Sequence, residues 1–191
     1  MNIGIDIDNT ITCSIETILE YLEIFKKDYL KDGNLEDVFM EFINGSIHNP
    51  IVRSFYHNNC LDMASKFELK ENAKEIIDKL HEEGNRIVII TARSDENYID
   101  AYKYCEDYLK DKKIYYDKLI VAQQTKVQAC IDEHIDIMID DSIDICEEAR
   151  EVNVNSLVFN SKVNQHRVTN LPRVSTWKEA YEYIQNFKKN K

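Results

Sequence analysis

No stretch of this chain stays apolar for the roughly eighteen residues that a membrane-spanning helix requires. No two of its five cysteines (Cys13, Cys60, Cys105, Cys130 and Cys146) are spaced as CxxC, and their number is odd. That pattern argues against a disulfide framework or a thiolate zinc site, and for buried thiols in a reducing compartment. A dense basic patch is also missing. Against 35 Asp and Glu stand 24 Lys and Arg, a formal net charge of −11. Such a surface repels a nucleic-acid polymer. There is no internal repeat, and the opening "MNIGIDID" lacks the charged-then-apolar layout of a signal peptide. The expectation is a cytoplasmic protein with neither a membrane nor a nucleic-acid partner. Its 191 residues suffice for one domain with a sizeable core, plus a smaller lobe.

What the chain does have is acids where acids are costly. "MNIGIDIDNTIT" and "IDIMIDDSIDI" are apolar runs that stop in pairs, Asp6 with Asp8 and Asp140 with Asp141. Carboxylates resist burial. Residues 2–7 read as a buried strand, as do 86–91, 118–122, 135–140 and 155–159. Helical patterns lie between them, at 71–84, 95–111, 125–134, 142–152 and 176–188, with Gly84 as a stop. Strands alternating with helices predict an α/β fold, a Rossmann-like parallel sheet with helices on both faces. Ligands of such sheets bind beyond the carboxyl ends of the strands, where both acid pairs and Thr91 fall.

The alternation breaks once. Residues 14–68 separate the first strand from the next helix and strand, and read as a small helical cap on a core made of 1–13 and 69–191. The cap pattern is two helices followed by short pieces around "NPIVRSFYHN". It is rich in rings (Tyr21, Phe25, Tyr29, Phe39, Phe42, Phe55, Tyr56), whose ordinary role is the lobe's own core.

Clustered hard oxygen ligands suit Mg²⁺, which would also neutralise acids that could not otherwise sit together. A carboxylate can attack phosphorus, and a second acid can protonate the leaving oxygen and later activate water. Thr10 has the alternative role of capping the first cap helix. Arg93 could reach a phosphate or pair with an acid such as Asp95. Asp144 reads as a solvated helix residue, the five histidines as surface or packing residues, and Trp177 as a ring that docks the last helix.

Asp6, Asp8 and Thr10 in "DIDNT", Thr91 in "IITAR", a lysine, and "IDD" occur in order at strand ends. This set resembles the four motifs of the haloacid dehalogenase superfamily of phosphohydrolases. The resemblance implies Asp6 as nucleophile and magnesium ligand, and Asp8 as general acid/base with its carbonyl on the metal. It implies Asp140 as a further metal ligand, with Asp141 acting through water or orienting Lys126. Thr91 and backbone N–H groups at Asn9 and Ala92 would hold phosphoryl oxygens. Two lysines fall in the interval for the third motif. Lys118 precedes its strand and sits at the amino end; Lys126 follows it at the carboxyl end with the acids, and is the choice.

Asp8 disfavours the dehalogenases, and the absence of membrane helices disfavours the transport ATPases. More closely, "IGIDIDNTIT", a helical insert of this length, "YDKLIVAQQTK", "IDIMIDDS" and "RVSTWKEAYEYI" resemble the 5′(3′)-deoxyribonucleotidases and their bacterial relatives. The stretch "TAR" departs from the Ser and Pro that follow the Thr in better-known members. The implied substrate is a small phosphomonoester: a nucleoside monophosphate, or alternatively a sugar phosphate. A non-catalytic module on the same fold is the remaining reading.

Overall fold

The computed structural model describes residues 1–29 and 50–189. Six strands form one parallel sheet: β1 (Asn2–Ile5), β2 (Arg86–Ile90), β3 (Lys118–Ile120), β4 (Ile137–Asp140), β5 (Asn155–Phe159) and β6 (Arg173–Val174). Their order is β3-β2-β1-β4-β5-β6. Five of the strands were expected. The sixth is two residues long, too short to leave a period in the sequence, and it pairs Val158 with Arg173 and Phe159 with Val174.

Both faces of the sheet are buried, so successive side chains of one strand enter different cores. Ile87 and Ile89 of β2 and Ile137 and Ile139 of β4 join one apolar cluster. Val88, Ile90 and Met138 join the other. The first face is covered by α3 (Ala73–Glu82), α4 (Ala101–Asp111) and α7 (Trp177–Lys189). The second packs under α5 (Val127–Asp132) and α6 (Ile143–Glu151). Gly4 permits the close fit of β1 to its neighbours: a Cβ there would sit 2.7 Å from Met138 Sδ. Among the described residues, no helix is long and apolar enough to cross a membrane.

The insert leaves and re-enters the core through paired linkers. Thr12 and Leu69 form an antiparallel bridge. The Cys13 N–H donates to Glu68 O and the Lys70 N–H to Ile11 O, both at 2.8 Å. Its described helices are α1 (Ser14–Tyr29) and α2 (Pro50–Ser65). The short pieces expected near "NPIVRSFYHN" are one continuous sixteen-residue helix. Its weak amphipathic pattern hid it: Phe55 packs on Phe25 of α1, while Cys60 Sγ donates to Asn97 O at 2.8 Å. The second expected cap helix, with Phe39 and Phe42, and the side chain of Tyr29 lie outside the described residues. Phe25 packs on Phe55 with ring centroids 4.7 Å apart. Ile15, Ile18, Leu22, Phe55 and Met63 of the insert share a single apolar cluster with the sheet.

The last helix docks through Trp177, which is fully buried, 5.7 Å from Phe159 between ring centroids. Its Nε1–H donates to Thr10 O at 3.1 Å. Trp177→Ala is therefore expected to lower unfolding free energy by about 3–5 kcal/mol. Trp177→Phe keeps most of the packing and loses the hydrogen bond, about 1 kcal/mol. Urea titrations of the two variants check the order.

Candidate active site

β1 lies at the centre of the sheet, with β2 and β4 on either side. The chain order reverses between β1 and β4, and the crevice at their carboxyl ends is where such sheets bind ligands. Asp6 follows β1 directly, its N–H bonded to Ile139 O at 3.0 Å, and is 5% exposed. The chain then turns sharply. Asn9 takes a left-handed conformation (φ 58°), which asparagine adopts more readily than most residues. The N–H groups of Ile11 and Thr12 both reach Ile7 O, at 3.0 and 3.1 Å. This turn brings Asp6 and Asp8 to one cavity.

The turn also corrects an expectation. Thr10 does not cap α1: its Oγ1 is buried without a hydrogen bond. Asn9 Oδ1 instead accepts from the Ile15 N–H at 2.8 Å, and the Asn9 N–H donates to Ser14 Oγ at 3.3 Å. A residue one position earlier reaches the helix end because the left-handed turn aims it there.

β4 ends in Asp140, 1% exposed. Its Oδ1 accepts from the Ser142 N–H and its Oδ2 from Lys126 Nζ, at 2.8 and 2.7 Å. Lys126 also donates to Asp6 Oδ1 and is itself 3% exposed. It stands at the N-terminus of α5, beyond the carboxyl end of β3. Lys118 lies at the other end of that strand, half exposed and paired with Glu133. Asp141 is held by the β5–β6 connection, while the hydrogen bonds of Lys126 run to Asp6 and Asp140. Ser161 Oγ donates to Asp141 Oδ2 at 3.1 Å, and Asn164 Nδ2 to its carbonyl at 2.6 Å. Ser161 and Asn164 had no distinguishing signal in the sequence.

Thr91 follows β2 and is buried, its Oγ1 accepting from the Arg93 N–H at 3.3 Å. Ala92 beside it is exposed at the cavity. Arg93 turns away from Asp95, whose Oδ1 accepts from the Ala101 N–H at 2.8 Å. Its partner is Asp8: Nε to Oδ2 and Nη2 to Oδ1, both 2.8 Å. Asp144 is exposed and makes a two-point pair with Arg167 at 2.8 and 2.6 Å.

The cavity, about 410 Å³, is lined by Asp6, Asp8, Thr91, Lys126, Asp140 and Asp141 among others. Asp6, Asp140 and Asp141 each offer one carboxylate oxygen, all within 4.8 Å of one another. Burial pushes the Asp6 carboxyl up to about 7; Lys126 opposes this, and Asp140 and Asp8 add to it. Asp141 is raised well above the carboxylate range by burial, then by Asp140 and Asp6. Asp8 is lowered despite its burial, because Arg93 and then Ser14 favour its anion. Of these crowded acids, Asp6 and Asp140 share one lysine. Three hard oxygen donors with excess negative charge fit a divalent cation such as Mg²⁺.

A family model described as "5′ nucleotidase, deoxy (Pyrimidine), cytosolic type C protein" matches residues 1–190. A structure of a predicted phosphatase from Clostridium acetobutylicum is similar over 97% of this chain and 98% of that one, with TM-score 0.70 and 16% identity. A haloacid dehalogenase-like hydrolase from Streptococcus pneumoniae is similar over 96% and 98%, with TM-score 0.67 and 15% identity. A haloacid dehalogenase phosphatase from Thermococcus onnurineus is similar over 96% and 97%, with TM-score 0.64 and 18% identity. No curated protein sequence matches. At these identities the solved structures speak for the fold, and the match along nearly the whole chain speaks for the family. The chain belongs to the deoxy, cytosolic type C 5′ nucleotidase family, built on the haloacid dehalogenase fold.

Proposed function

We propose that this protein is a Mg²⁺-dependent phosphomonoesterase that works through an aspartyl-phosphate on Asp6 and acts on nucleoside monophosphates, deoxy ones preferred. The observation that carries the proposal is the convergence of Asp6, Asp140, Asp141 and Lys126 at the ends of neighbouring strands, opposite Thr91 and the Asp8–Arg93 pair.

Asp6 attacks phosphorus, and the bond to the leaving oxygen breaks. Asp8, when it carries a proton on its one unoccupied lone pair, gives that proton to the oxygen. Water then attacks the phosphorus of the acyl phosphate, the Asp6–phosphorus bond breaks, and Asp8 takes the proton from water. Thr91 Oγ1 and the Ala92 backbone N–H hold phosphoryl oxygens, and Lys126 sets charge against them. Asp6, Asp140 and the Asp8 carbonyl would hold the cation, with Asp141 beside them. When bound, the cation neutralises these acids and the phosphoryl oxygens they face.

A second cavity, of about 740 Å³ and lined by Arg53, Tyr56, His57, Glu96 and Asn97 among others, supports a place for the leaving group. Tyr56 connects it to the chemistry: burial, and then the charge of Asp8, push its hydroxyl up to about 12. The other described cap rings, Tyr21, Phe25 and Phe55, pack against the core, as Tyr56 does in part. Stacking of a base on one aromatic ring is worth about 1–3 kcal/mol. A buried ribose 2′-hydroxyl without a partner costs a comparable amount, which favours a deoxy sugar.

Two measurements test this. Hydrolysis of an aryl phosphate should vanish with a chelator and return with Mg²⁺; full activity in metal-free protein would remove the metal assignment. A kcat/KM comparison over deoxyribonucleotides, ribonucleotides and sugar phosphates should favour the first group. Preference for a sugar phosphate would reject the nucleotide while leaving the phosphatase chemistry intact.

A further inference from the structure

We propose that Arg93 is a positioning residue, whose task is to fix the Asp8 carboxylate so that a single lone pair is left for proton exchange with the substrate. This rests on the phosphatase reading given above.

The geometry is a count of acceptor sites. An ionised carboxylate offers about four lone-pair positions. Oδ1 of Asp8 accepts from Arg93 Nη2 at 2.8 Å and from Ser14 Oγ at 2.7 Å. Oδ2 accepts from Arg93 Nε at 2.8 Å. Three positions are filled, and the one remaining lies on Oδ2. The carboxylate is 34% exposed and lines the cavity with Asp6, while the Arg93 side chain is 2% exposed. The proton site therefore opens to the reacting group, and the group that aims it does not.

Arg93 is itself held. Its guanidinium carbon lies 5.3 Å from the ring centre of Tyr98, 5.4 Å from Tyr108 and 5.7 Å from Phe67. Tyr108 is locked to this cage by its hydroxyl, which donates to Phe67 O at 2.8 Å. The Arg93 carbonyl accepts from the Ala122 N–H at 2.8 Å. A planar fork stacked among rings and paired at two points cannot be reproduced by an ammonium group. On the other side of Asp8, Ser14 is braced by Thr12 Oγ1 at 2.6 Å.

The rival role is direct contact with the phosphoryl group through Nη1, which is buried without a hydrogen bond. The two roles separate on the leaving group. Help from Asp8 matters most when the departing oxygen is strongly basic, as in an alkyl phosphate, and least for 4-nitrophenyl phosphate. Phosphate contact matters equally for all.

The experiment measures kcat/KM of the magnesium-loaded enzyme on 4-nitrophenyl, phenyl and alkyl phosphates, for the wild type, Arg93→Lys, Arg93→Gln, Ser14→Ala and Asp8→Asn. Both Arg93 variants should lose at least about tenfold more on the alkyl ester than on the nitrophenyl ester, following the pattern of Asp8→Asn on a smaller scale. Equal losses across the series, or an Arg93→Lys enzyme like the wild type, would overturn the proposal. If the Arg93 variants do not fold, Ser14→Ala decides: it removes one bond from the same carboxylate, and a uniform loss or none counts against positioning. If Asp8→Asn itself shows no dependence on the leaving group, the role of Asp8 in the proposed mechanism fails instead.

Discussion

Asp6→Asn is expected to abolish turnover, by more than about 10⁴-fold, in a protein that still folds. The nucleophilic oxygen becomes an amide group that cannot form the acyl phosphate. The fold should survive because Asp6 is not a comfortable anion in the absence of metal. Burial and the two nearby carboxylates hold its pKa at about 7 in spite of Lys126. Asparagine keeps the shape and removes one of three crowded acids, so the thermal midpoint measured with chelator should hold or rise. Retained turnover would place the nucleophile elsewhere. A collapsed midpoint would mean that Asp6 is chiefly a structural partner of Lys126.

Lys126→Met should damage both activity and stability. Lys126 is buried with both of its carboxylate partners. Removing it leaves Asp6 and Asp140 facing one another without a counter-charge. Breaking a buried pair in this way costs about 3–5 kcal/mol. Lys118→Met is the control, since its pair with Glu133 is half in solvent and worth no more than about 1 kcal/mol. In metal-free denaturation the first variant should unfold far more easily than the second. Added Mg²⁺ should recover more stability in Lys126→Met than in the wild type, because it replaces the missing charge. Its turnover should stay low, because the cation does not replace the ammonium group beside the phosphoryl oxygens. Equal, mild effects at the two lysines would show that neither belongs to the site.

Most of the sheet and the acid clusters were legible because β1, β2, β4 and β5 are short, mostly buried apolar runs, and each cluster sits where such a run ends. Thr91, Asp140 and Lys126 could be placed on one edge from chain order alone. Contacts made only by the folded chain could not. Arg93 and Asp8 are 85 residues apart, and nothing in "TAR" tells Asp8 from Asp95 as a partner. Helix α2 was obscured because its buried residues face several neighbours and leave no single stripe. β6 has two residues and is a strand only because Val158 and Phe159 lie beside it. Asn9 was read for its backbone alone; its side chain caps α1 because the φ of 58° turns it back along the chain.

The clasp between the two linkers of the insert bears on how the chain finds this shape. β1 is synthesised first yet lies in the middle of the sheet, so it must wait for residues 86–90 and then 137–140 to be made. Pairing across such distances is entropically slow and leaves an apolar strand open to wrong partners. The Thr12–Leu69 bridge can form before β2 leaves the ribosome. Once closed, it removes the whole insert from the loop that joins β1 to β2, leaving a short connection whose only regular element is α3. The entropy of closing a loop grows with its length, and the remaining search is that of an ordinary strand–helix–strand unit. A long insertion can thus sit inside the first crossover without making the central strand's first pairing a long-range event.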